Sequence, residues 1–166
     1  VGIICAKKSK IEKTKKNRTR VAYLNLYRVY QMSENLHQTP NTPSVTMFIA
    51  LEAAVQRLLE EGLAEQINRH KRCARIIRDG VRKMGLRLLV DDKVASNTVS
   101  SVFLPAEISM ADFIGTMEEK GFTVYAGKGP LKPQNMFQIA NMGEIDEEMC
   151  HVFLKTMEET LTEFKQ

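Results

Sequence analysis

The 166-residue sequence has no tryptophan, only three cysteines and only five prolines. No apolar run approaches the roughly 18–20 residues a membrane-spanning helix needs. The cysteines, Cys5, Cys73 and Cys150, are odd in number and far apart, with no CxxC or Cys/His spacing. That excludes a disulfide framework and a zinc site of recognisable spacing, and reads as buried or half-buried free thiols in a reducing cytoplasm. His37, His70 and His151 lack partners at catalytic or metal spacing. No repeat, low-complexity tract or secretory leader is present.

Charge is uneven. Eight basic residues face Glu12 alone in the first twenty positions, and the remainder is slightly acidic. A basic run can track a phosphate backbone, but no aromatic is interleaved with these lysines to stack bases. A solvated surface is the simpler reading, without nucleic-acid or membrane partners. The opening Val1–Ala6 is apolar enough for a strand buried on both faces of a larger sheet. It is expected to be a strand left from a large domain whose other strands lie upstream.

The pass along the chain predicts a short charged helix or turn over Ser9–Lys16. Helix and strand both fit Tyr23–Tyr30. Residues 31–43, with Pro40 and Pro43, read as a linker. A long helix starts near Thr42 or Ser44, with Val45, Phe48, Ile49, Leu51, Ala54, Val55, Leu58 and Leu59 at helical spacing, and stops at Gly62. A second helix runs from Leu63 to Met84. The period then changes to two: Leu86–Val90 and Thr98–Leu104 read as strands. A helix over Met110–Lys120 capped by Ser109, strands Phe122–Ala126 and Met136–Ala140, and a helix from the Asp146 cap to Phe164 complete the pattern. This predicts an α+β fold: a three- to four-stranded, mostly antiparallel sheet with helices on one face, plus a long linking helix. The expected division is 1–43, large-domain remnant and linker, and 44–166, the small domain with its connecting helix.

The most informative stretch is Gly121–Ile145, GFTVYAGKGPLKPQNMFQIANMGEI. Two strand-like runs flank a loop whose Gly127, Gly129, Pro130 and Pro133 exclude a helix. Such an arrangement places polar groups at a cleft rim. Ala126–Lys132 and Phe137–Gly143 resemble the "GGxGPLK" and "FRIGHMG" stretches of the class V, fold type I pyridoxal-phosphate (PLP) aminotransferases. Thr39–Val45 resembles that family's "TPxTPxV". Glu60–Leu63 with Arg69-His70, and Ala95–Val99 with Phe103–Pro105, resemble two further stretches in the same order. The 2-aminoethylphosphonate–pyruvate and alanine/serine–glyoxylate branches look most similar.

The resemblance implies the C-terminal part of a homodimeric PLP enzyme. The whole enzyme would pass an amino group from an amino donor to a 2-oxo acid such as pyruvate or glyoxylate. It places the Schiff-base lysine a dozen or so residues ahead of Val1, so this chain alone is expected to be inactive, with no catalytic residue of its own. It assigns Thr42, with Thr39 and Asn41 as companions, to the cofactor phosphate of the partner subunit. A plain helix cap is the alternative for Thr42. It places Gln138 and Lys128 near the substrate. Gln138 departs from the family's arginine, exchanging a planar charged fork for one neutral amide; the alternative puts Gln138 on an edge strand facing solvent. For Lys128 a solvated loop lysine is the simpler reading. Asn141 and Glu144 are expected to hold their turn. A non-catalytic dimerisation or ligand-binding module of the same fold is the competing function. A cysteine desulfurase is disfavoured, because no cysteine lies in a Gly/Ser-rich loop.

Overall fold

The computed structural model describes residues 2–17 and 20–164, and of Lys132 the backbone alone. Two compact units divide the chain, Val1–Glu60 and Glu61–Gln166.

In the first unit, α1 (Lys8–Lys13) runs into a 3₁₀ turn, Thr14–Lys16. A second 3₁₀ turn, Ala22–Leu24, precedes α2 (Leu26–Leu36). Asn25 caps α2 by accepting from the Arg28 amide, and His37 ends it in the left-handed region at φ 51°. Helix therefore extends into the predicted linker, because polar Gln31–Asn35 continue a helix that a good cap has nucleated. The Lys8 ammonium meets Glu34 at 2.7 Å, tying α1 to α2, and its pKa is raised by the bonds to Glu34 and Tyr30. Then α3 (Val45–Glu61) begins where the Ser44 carbonyl accepts from the Met47 and Phe48 amides. None of its residues is buried, although Val45, Phe48, Ile49, Val55 and Leu59 are apolar.

The apolar opening is not a strand. Residues 2–6 carry no secondary structure, with Ile3 75% exposed, and Val1 lies outside the described residues. A strand of this composition holds its form only when neighbours satisfy its backbone. None is present among the described residues.

In the second unit, α4 (Leu63–Lys83) leads to β1 (Arg87–Leu88) and β2 (Val99–Phe103). Next come α5 (Met110–Glu119), β3 (Tyr125–Ala126), a 3₁₀ segment (Gly129–Gln134), β4 (Met136–Ala140) and α6 (Glu147–Glu163). The sheet order is β1-β2-β4-β3, antiparallel throughout. Ser109 and Asp146 cap α5 and α6 as expected, accepting from the Asp112 and Met149 amides. The predicted first and third strands are shorter than their alternation suggested. Of Phe122–Ala126 only two residues pair, because Gly121 at φ 89° turns Phe122 back so that its amide donates to the Met117 carbonyl.

Val102, Phe137 and Ile139 alternate toward α4, α5 and α6, where Cys73, Ile77, Val81, Phe113, Met117 and Met157 complete one core. The Phe113 and Phe137 rings tilt against each other at 4.8 Å, adding to their area burial. Among the described residues of this unit, no α-helix packs on the opposite face of the sheet.

Candidate functional site

Gln138 sits on the helix-free face, and β4 is an inner strand, so the edge-strand alternative is corrected. Its neighbours follow from register: Ser101 opposite on β2 and Tyr125 opposite on β3. Gln138 is half-buried, and its Nε2 donates to Ser101 Oγ at a long 3.4 Å. The Lys128 ammonium lies 5.8 Å from the centre of the Tyr125 ring. Both substrate candidates, Gln138 and Lys128, thus flank one tyrosine on one open face.

The loop between β3 and β4 departs from the prediction. Gly129–Gln134 forms a 3₁₀ helix with Pro133 inside it. Its prolines exclude α-helix, but the short i→i+3 pattern tolerates the missing amides. Gly127 allows this segment to fold down. A Cβ there would lie 3.0 Å from the Leu131 carbonyl oxygen and 3.2 Å from Met136 Cε. The loop therefore roofs Met136, which is buried although it lies off the core face. Asn135, at φ 45°, closes the loop, and its Nδ2 reaches the carbonyls of Leu104, Pro105 and Ile108 at 2.8–3.3 Å. Sequence reasoning missed this residue, although an Asn ahead of a strand is a common left-handed turn former.

The turn after β4 is anchored more deeply than expected. Asn141 is fully buried and donates from Nδ2 to the carbonyls of His70 and Asn97, at 3.3 and 3.0 Å. The Arg69 Nη1 donates to the carbonyls of Gly143 and Ile145. Its bond to Glu61 raises the guanidinium pKa further.

In the first unit, Thr39, Asn41 and Thr42 share the loop that leads into α3. The Thr39 hydroxyl donates to the Asn41 carbonyl at 2.8 Å. Thr42 is exposed, and its hydroxyl has no partner among the described residues. The first turn of α3 holds no acid, and none occurs between Glu34 and Glu52. A free hydroxyl in an acid-free stretch at a helix start suits a phosphate.

Other groups stay outside this chemistry. Cys73 and Cys150 are buried side by side between α4 and α6, as expected, but Cys5 is exposed, because the opening residues 2–6 pack against nothing among the described residues that would cover it; the expectation of a buried thiol is corrected there. Burial, then the neighbouring Cys73, pushes the Cys150 thiol up to about 12. A cavity of about 600 Å³ opens beside Phe122, Asn141 and Met149, on the helix side of the sheet. No cluster of three or more metal-ligating side chains occurs among the described residues, and no described helix is long and apolar enough to cross a membrane.

No protein-family model matches the chain. It is 35% identical over 153 residues to an uncharacterized aminotransferase of Methanocaldococcus jannaschii, covering 92% of this chain and 40% of the relative. It is 30% identical over 149 residues to a 2-aminoethylphosphonate–pyruvate transaminase of Phocaeicola vulgatus, covering 87% of this chain and 40% of the relative. Among solved structures, an alanine–glyoxylate aminotransferase of Nostoc sp. superposes with a TM-score of 0.81 at 21% identity, over 93% of this chain and 42% of that one. The chain spans about two fifths of the length of the curated relatives it matches.

Proposed function

We propose that this chain, a relative of the class V, fold type I PLP-dependent aminotransferases, works as the C-terminal part of such an enzyme. It would act as a homodimer on an amino donor (2-aminoethylphosphonate, alanine or serine) and a 2-oxo acid such as pyruvate or glyoxylate. Residues 1–43 would be the remnant of the large domain with a linker, and 44–166 the small domain with its connecting helix. Bound PLP supplies the electron sink that lets an amino group leave one carbon skeleton and join another.

The observation that carries this reading is the helix-free sheet face, where Gln138 and Lys128 flank Tyr125 within a fold that aminotransferases share. Each group has a task there. The Gln138 amide and the Ser101 hydroxyl offer neutral hydrogen bonds that orient a substrate. Lys128 supplies a point charge on a flexible stem. Thr42, with Thr39 and Asn41 shaping its loop, would bind the cofactor phosphate held by the partner subunit. Asn141 and Arg69 hold the turn after β4 and keep the face rigid. The exposed apolar residues of α3 fit the same reading, since an apolar helix surface of this kind is normally covered by protein. On this reading the chain by itself does not transfer amino groups.

The test is amino transfer by the longer protein that carries this chain, loaded with PLP and offered each donor with pyruvate or glyoxylate. Formation of the 2-oxo product from the donor, matched by the amino acid from the acceptor, is the expected result. Tight PLP binding with no transfer in any pairing would favour the non-catalytic module.

A further inference from the structure

Among the described residues, the open face of the sheet and the loop beside it present two cations, Arg87 and Lys128, and the strand positions on this face include no carboxylate. Register places Arg87 opposite Phe103, and Phe103 opposite Met136; the next rung is Ser101, Gln138 and Tyr125. The Arg87 guanidinium lies over the Phe103 ring, its carbon 3.5 Å from the ring centre. Arg87 forms no ion pair with any described residue, unlike Arg69, Arg72, Arg78 and Arg82, which all meet acids. A cation kept on an aromatic platform beside two uncharged hydrogen-bonding side chains is a ready receptor for a small anion.

We propose that Arg87 is a substrate-binding residue that grips the carboxylate of the 2-oxo acid, with Ser101 and Gln138 completing the contact; this rests on the aminotransferase reading above. Gln138 cannot do this alone, since a neutral amide offers neither charge nor two parallel donors to one carboxylate. Lys128 is the weaker candidate. Its ammonium is a point charge on a loop, 5.8 Å from its ring, whereas the Arg87 fork, its carbon 3.5 Å from the Phe103 ring centre, is held closer to its platform and offers two parallel donors. Phe103 is itself fixed, being half-buried on an inner strand. The guanidinium keeps its N–H edges free, one rung from Ser101. The long Gln138–Ser101 bond, 3.4 Å, is one that a carboxylate oxygen can replace.

The experiment is a two-dimensional amide NMR titration of the ¹⁵N-labelled 166-residue chain with pyruvate, and with methyl pyruvate as its uncharged counterpart. Pyruvate should give saturable shifts at Arg87, Ser101, Phe103 and Gln138, and methyl pyruvate none. Arg87→Ala should weaken pyruvate binding by about tenfold or more, and Lys128→Ala by less than about threefold. Arg87→Gln, which keeps the stem that covers Phe103, should weaken it by a similar factor if the alanine variant does not fold. Absence of saturable shifts on this face, equal shifts with methyl pyruvate, or unchanged affinity without the Arg87 charge would each overturn the proposal. No PLP is present, so the outcome is independent of amino transfer by the longer protein. Transfer with no pyruvate effect at Arg87 leaves the function standing and removes this residue's role.

Discussion

Arg69 and Glu61 form a two-point pair: the Arg69 Nε and Nη2 both donate to the Glu61 carboxylate, the latter at 2.8 Å. The remaining edge of the guanidinium, Nη1, reaches the Gly143 and Ile145 carbonyls at 2.9 and 2.8 Å. One side chain on α4 thus holds both the turn after β4 and Glu61, the last residue of α3. Arg69→Ala leaves two carbonyls and a half-buried carboxylate without this donor and should cost about 1–3 kcal/mol. Denaturant unfolding with an unchanged slope reads that loss, and amide exchange should accelerate first over residues 142–146. Stability within about 0.5 kcal/mol of the parent would contradict the assignment.

Asn141 does the corresponding work from inside. Asn141→Ala strips the donor from the His70 and Asn97 carbonyls at a fully buried position. The expected cost is about 2 kcal/mol, again by denaturant unfolding. Asn141→Asp should cost more, because a buried carboxylate faces two carbonyls and has no proton to donate.

The thiols should separate cleanly. Cys5 should react with a thiol reagent in the folded chain, while Cys73 and Cys150 react only on unfolding. Cys150 also sets an alkaline limit. Its folded pKa, about 12, lies above its ordinary value of 9.0, so the folded state holds the thiol proton more tightly. That stabilisation is full below pH 9 and fades as pH rises toward 12. Cys150→Ala should flatten the alkaline fall in stability between those values.

Gln138→Arg in the longer protein restores the charged fork that this strand position lacks. If Gln138 faces substrate, the Michaelis constant for pyruvate should fall by about tenfold, with a smaller change in kcat. An unchanged constant would place residue 138 outside the substrate contact.

Much of the second unit was legible because its signals are local. Ser109 and Asp146 read as caps and act as caps. The alternation in Thr98–Leu104 and Met136–Ala140 yields the paired strands Val99–Phe103 and Met136–Ala140. The opening strand failed for the opposite reason, since strand formation in 2–6 depends on partners that no residue of its own can name. Over Tyr23–Tyr30 the sequence left helix and strand both open, because the cap of α2, Asn25, sits inside an aromatic run that fits either period. The grip of Arg69 and Asn141 on distant carbonyls spans more than seventy positions, as with His70 and Asn141, and no spacing rule reports such contacts. Arg87 went unnoticed because its meaning depends on the Phe103 ring across the sheet, a pairing fixed by register.

The central claim is that this chain supplies substrate and phosphate contacts while the lysine that carries the cofactor lies elsewhere in the polypeptide. Borohydride reduction of the PLP-loaded longer protein, followed by peptide mapping of pyridoxyl-lysine, tests it directly. The label should fall on a lysine outside these 166 residues, and the chain alone should retain no stoichiometric label. Stoichiometric pyridoxyl on Lys128, or on any lysine of this chain, would contradict the account.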